Sequence, residues 1–111
     1  MRKSHTTILE RAEIFTSNFA TEPYEAAWAS EAIFFIKILE VTGENASLKA
    51  EVQISPDGIE WTKEGTESEI IKQKGLYFLR TRRFGVWLRL NLIMKGEDSK
   101  FRLIIYLTLK E

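Results

Sequence analysis

The chain contains no cysteine in its 111 residues. Disulfide staples, thiolate metal sites and a cysteine nucleophile are therefore excluded. It has a single histidine, His5. A histidine metal cluster cannot form, and a Ser-His-Asp triad would need this near-terminal ring deep in a cleft. There is no glycine-rich phosphate loop. Aspartate is scarce, two residues against fourteen glutamates. Asp57 sits in a Pro-Asp-Gly sequence, where it reads as turn chemistry before it reads as a calcium ligand. The longest apolar runs, Ala32–Ile36 and Leu103–Leu107, are too short for a membrane-spanning helix. The basic start Met1-Arg2-Lys3 meets Glu10, Arg11 and Glu13 before any run long enough for a signal peptide. These absences lead us to expect no enzyme, no cofactor, no metal, no membrane partner and a cytoplasmic location before any assembly.

What is present is a chain that can bury a core. It is 44% hydrophobic and 29% charged with only two prolines, the composition of a single globular domain over 1–111. An excess of glutamate and lysine without cysteine is a pattern enriched in thermophile proteins. Net charge is zero but unevenly spread. Residues 1–71 hold six Lys/Arg and thirteen Asp/Glu; residues 72–102 hold nine Lys/Arg and two Asp/Glu. Three arrangements fit: a basic binding patch, acidic strands beside basic ones in one fold, or an acidic face meeting a basic face between subunits. Overall neutrality argues against a nucleic-acid partner.

Alternation marks the strands. Residues 46–55 put Leu48, Ala50, Val52 and Ile54 on one side and Lys49, Glu51 and Gln53 on the other. Pro56-Asp57-Gly58 then supplies a turn, with Ile59 and Trp61 expected inward on the returning arm. Residues 31–42 are apolar at both parities, which predicts a central strand covered on both faces at least at one end. Residues 75–82, 84–95 and 100–110 read as further strands, and Ile70-Ile71 as the start of a short one. Residues 6–16 fit a helix face through Ile8, Ala12 and Phe15, or a strand, with the threonines favouring the strand. Residues 1–30 look less regular, with 17–30 a connection holding a short helical turn near Glu25–Trp28. Seven or eight short strands without a long helix predict an all-β, antiparallel, jelly-roll-like sandwich.

Two features stand out as candidate binding residues. If 84–95 and 100–110 pair, Trp87, Arg89, Asn91 and Ile93 lie beside Arg102, Ile104, Tyr106 and Thr108 on an outer face. Tryptophan, tyrosine and arginine are the residue types that dominate interface hot spots. The second is the cluster Arg80-Thr81-Arg82-Arg83, suited to phosphate, a carboxylate-bearing sugar or an acidic partner, or to Glu64, Glu67 and Glu69 within the chain.

The run Val41-Thr42-Gly43, then Leu48 through Ser55-Pro56-Asp57-Gly58-Ile59-Glu60-Trp61-Thr62, resembles small β-sandwich structural proteins encoded by phages and prophages. Gly85-Val86-Trp87-Leu88-Arg89-Leu90 and Phe101–Leu109 occupy the places of that family's later strands. The Asp-Gly-x-x-Trp hairpin is also similar to that of discoidin-like, carbohydrate-binding sandwiches, from which this chain departs in being shorter and lacking cysteine. The first resemblance implies a virion assembly component, such as a head decoration or tail-associated protein, that self-associates or docks on other assembly proteins. The second implies a glycan- or polymer-binding module.

Overall fold

The alternating segments become strands nearly residue for residue. The computed structural model describes residues 3–111; Met1 and Arg2, the start of the basic N-terminal stretch, lie outside the described residues. Nine strands are present among the described residues: β1 (Ser4–Phe15), β2 (Phe19–Ala20), β3 (Tyr24–Glu25), β4 (Glu31–Thr42), β5 (Ser47–Ser55), β6 (Thr62–Glu67), β7 (Gly75–Arg82), β8 (Trp87–Lys95) and β9 (Lys100–Lys110). They form two antiparallel sheets. One has the order β1-β9-β4-β7. The other has the order β2-β8-β5-β6, with β3 continuing along the same edge of β8 as β2. Consecutive strands mostly change sheet, the jelly-roll pattern expected. No described helix is long and apolar enough to cross a membrane.

The core lies between the sheets. Phe34, Ile36, Leu48, Leu90, Phe101 and Leu103 are fully buried, each from the inward parity of its strand. β4 is central, between β9 and β7; its outward Ile33 is buried at one end, while its outward Phe35 is only half-buried and Lys37 is exposed, so the outer face is not covered along its length.

Two crossing turns shape this core. Gly43-Glu44-Asn45-Ala46 carries β4 to β5, and Gly96-Glu97-Asp98-Ser99 carries β8 to β9. Both run Gly, Glu, then Asn or Asp. In both, the glycine (φ 113° and 108°) and the Asn or Asp (φ 56° and 53°) have positive φ. The turns nest. A Cβ on Gly43 would stand 2.9 Å from the Asp98 carbonyl oxygen, and one on Gly96 2.7 Å from that of Asn45. Because each turn changes sheet, 84–95 and 100–110 do not pair. β8 pairs β5 in one sheet, and β9 pairs β4 in the other.

Other expectations need correction. The returning arm of the hairpin starts at Thr62, so Ile59 and Trp61 do not enter the core; Ile59 is 80% exposed. Residues 17–30 hold no helical turn near Glu25–Trp28. Short strands lie there instead, and a bond from the Ala29 amide to the Ala26 carbonyl closes a tight turn. Ile71 forms an isolated bridge with Leu48 and is fully buried.

Gly96→Ala meets backbone at every approach, and its φ is unfavourable for alanine. We expect a loss of more than about 1 kcal/mol of unfolding free energy in denaturant titration. Gly65→Ala, where nothing lies within 4 Å of the added carbon, carries only the positive-φ strain and should cost less.

Candidate functional site

The predicted outer patch is split in two by the sheet change. Ile104, Tyr106 and Arg102 lie on the outer face of the four-stranded sheet. Trp87, Arg89 and Ile93 lie on the opposite side of the molecule, outside the five-stranded sheet. The two halves have different chemistry.

On the four-stranded sheet an apolar row crosses every strand. Ile8 is in register with Tyr106, Tyr106 with Phe35, and Phe35 with Phe78. Leu76 and Ile104 flank it one step away, each in register with Lys37. Phe78 is 58% exposed and Leu76 66%; the Phe35 and Phe78 rings stand 6.4 Å apart and tilted. Five of these six residues come from β4, β7 and β9, strands read directly in the sequence. Ile8 comes from β1, where register shifts between Ile8 and Glu10 and between Arg11 and Glu13 place Ile8, Arg11 and Ile14 opposite the outward residues of β9. Two bulges thus turn a spacing of two into a spacing of three and break the simple alternation; the helix-face set Ile8, Ala12 and Phe15 does not share one side, since Ile8 lies opposite outward Tyr106 and Phe15 opposite buried Phe101. Cations border the row: Arg11, Lys37, Arg80, Arg82 and Arg102. Its carboxylates, Glu31 and Glu40, are both ion-paired there.

The arginine cluster finds a different partner from the one expected. Glu31 on the neighbouring β4, not Glu64, Glu67 or Glu69, pairs with Arg82 (Nη2–Oε2 2.8 Å) and lies 4.0 Å from Arg80. The Arg80 guanidinium also sits 5.6 Å from the centre of the Phe78 ring. Arg83, at positive φ, joins Lys3, Ser30, Lys110 and Glu111 around an open groove of about 580 Å³ at the end of this sheet. Glu31 and Glu40 of β4 thus pair with arginines of the neighbouring β7 and β9.

The outer face of the five-stranded sheet is polar and tightly linked. Arg89 Nε donates to Gln53 Oε1 at 2.6 Å, and its guanidinium lies 4.3 Å from the centre of the Trp61 ring. Partial burial pushes the Arg89 pKa down from its usual range. Asn91 donates to Glu51, and Lys63 pairs with the same carboxylate at 3.4 Å. Glu51, expected outward and solvated, is only 4% exposed beneath these partners. Period-two alternation gave its side correctly but could not show its cover. Trp87 packs over the turn, its ring 3.3 Å from where a Gly58 Cβ would stand. A smaller apolar cleft of about 390 Å³ lies nearby, lined by Ile54, Pro56, Thr62, Phe84 and Val86.

The turn itself is held by Asp57. Its carboxylate accepts the amides of Ile59 (2.9 Å) and Glu60 (3.1 Å) and the Ser55 hydroxyl (3.0 Å). Ser55 Oγ in turn accepts the Gly58 amide at 2.8 Å. His5 stands on β1, exposed and stacked at 6.5 Å from the Tyr24 ring. No group of three or more His, Asp or Glu suited to a metal occurs among the described residues.

The backbone amides hold the Asp57 carboxyl below the usual carboxylate range. An acid with a lowered folded-state pKa stabilises the fold above its unfolded-state pKa, and that stabilisation is lost as pH falls through the folded value. Asp57→Asn should therefore be less stable than the parent at pH 7. The gap should close below about pH 4, as read by denaturation at a series of pH values.

The sequence profile of a family described as a domain of unknown function (DUF6385) matches residues 34–111. Among solved structures, the crystal structure of the SPBc2 prophage-derived protein YomS is similar, with a TM-score of 0.61 at 8% identity, covering 100% of this chain and 96% of that one. Likeness at that identity is one of fold. No curated protein matches the chain.

Proposed function

The chain belongs to the DUF6385 family, whose function is open, and from that premise we propose that it is a non-enzymatic assembly protein of a phage or prophage particle. It acts by self-association or by docking on a larger structure, in the manner of a head decoration or tail-associated component. The observation that carries this reading is the row Ile8–Tyr106–Phe35–Phe78 with Leu76 and Ile104 beside it. A contiguous apolar band across an uncovered sheet is the usual mark of a contact surface, and its aromatic content suits a hot spot. The surrounding cations favour a partner with an acidic rim. The fold likeness to a prophage-derived protein supports the setting.

Light scattering on the purified chain should show association whose mean mass falls in Tyr106→Glu, with affinity reduced about tenfold or more. A parent chain that stays monomeric at high concentration would count against the reading.

One observation favours a second reading, a glycan- or polymer-binding module. Trp61 and Trp87 bracket Arg89 and Gln53 on one open face, apolar rings beside polar groups. Glycan-array binding that is lost in Trp87→Ala and kept in Tyr106→Glu would establish this alternative. An array with no signal removes it.

A further inference from the structure

The two sheets present four edges, and three are blunted. β1 carries two bulges and a positive φ at Ala12. β2 and β3 are two residues each, with Pro23 between them. Thr21 and Asn18 there bond the Leu90 and Met94 amides on the same edge of β8. β6 is short and charged, breaks register with β5 and contains Gly65 at φ 117°. These are the devices by which sheet proteins avoid edge-to-edge pairing. β7 has no bulge and no proline, its glycine (Gly75, φ 153°) is confined to its first residue, and its charges are Arg80 and Arg82 on the outer face. Its eight residues run one-for-one against β4, from Gly75 opposite Ile38 to Arg82 opposite Glu31, with no shift. The strand has no proline and no carboxylate. Outside the β4 ladder, no backbone hydrogen bond among the described residues reaches it.

We propose that the β7 edge pairs antiparallel with β7 of a second copy, joining two four-stranded sheets into one of eight strands. This extends the assembly reading, and rests on it for biological meaning; the contact is the backbone edge of β7, with Phe78 and Leu76 shared between that edge and the apolar row. A two-fold axis normal to the sheet keeps core side chains on the core side, so only registers matching inward with inward residues are allowed. Of these, the register centred on Leu79 sets Phe78 opposite Arg80 of the second copy and Leu76 opposite its Arg82. Each arginine then meets an apolar side chain, and the Arg80–Phe78 approach already seen within one chain is repeated between chains. Moving the centre to Phe78 would instead set Arg82 against Lys74. Glu31, bound to both arginines, limits the charge brought to the axis.

The chain has no cysteine, so introduced thiols report only the introduced pair. Phe78→Cys and Arg80→Cys, mixed in equal amounts and mildly oxidised, should form a disulfide-linked dimer that neither variant forms alone. In the Tyr106→Glu background, where the edge is the remaining contact, Leu76→Lys places a lysine opposite Arg82 of the second copy, at a site exposed enough to leave the fold intact, and should shift light-scattering mass from dimer to monomer. Tyr106→Glu should stop association at the dimer and keep the mixed cross-link. A mixture that links no faster than either variant alone, or a Leu76→Lys, Tyr106→Glu chain that dimerises like Tyr106→Glu, overturns the edge pairing. If the parent nevertheless associates through Tyr106, the assembly reading stands. If the edge dimer forms and nothing larger does, the edge pairing stands without the docking face.

Discussion

Everything in this molecule depends on two turns fitting into each other. The β4–β5 and β8–β9 crossings meet backbone to backbone at Gly43 and Gly96, closer than any side chain would permit. That contact sets β4 beside β9 in one sheet and β5 beside β8 in the other. These four strands supply most of the fully buried residues. A hydrophobic core gives the sandwich its stability, but apolar burial has no direction of its own. The nested turns provide the direction by deciding which strand lies beside which.

The same geometry separates two surfaces that adjacency along the chain would have merged. Trp87 and Tyr106 lie on strands joined by a four-residue turn, yet they face away from each other across the thickness of the domain. One outer face becomes apolar with a cationic border. The other becomes a polar mesh of Gln53, Arg89, Asn91 and Glu51 with tryptophans on it. The two faces therefore differ in chemistry, one an apolar band and the other a set of polar side chains linked to one another.

Strand positions were legible because period-two alternation is a local property. Residues 31–42 and 100–110 read directly as β4 and β9, and the buried sets Leu88, Leu90, Leu92 and Phe101, Leu103, Ile105 follow from parity alone. Pairing was not legible. A Gly-Glu-Asp-Ser turn looks the same whether it closes a hairpin or crosses between sheets, and what decides is its contact with Gly43 and Asn45, some fifty residues away. The candidate site therefore came through in pieces. Tyr106, Ile104 and Arg80 lie at or beside the apolar row, while its other members, Ile8, Phe35 and Phe78, gave no signal of their own. Ile8 was further masked by bulges that break the period-two alternation of its strand. Trp61 was misassigned because alternation was carried through a turn that holds six residues, 56–61, outside the strands before β6 begins.

Among paired neighbours, only β5 and β6 are consecutive in the chain; every other long pairing bridges a distant stretch of sequence. Closing such loops costs entropy before any contact repays it. The β5–β6 hairpin, with its Asp57 turn, is then the one piece of sheet that can form early by itself, and the rest must wait for collapse. Folding on the slow side for a domain of this size, on the order of milliseconds to seconds, follows from that connectivity. During that interval the strand-rich chain has its edges open, and the blunting of three of the four finished edges is a safeguard that takes effect only once β1, β6 and the β2–β3 pair are in place.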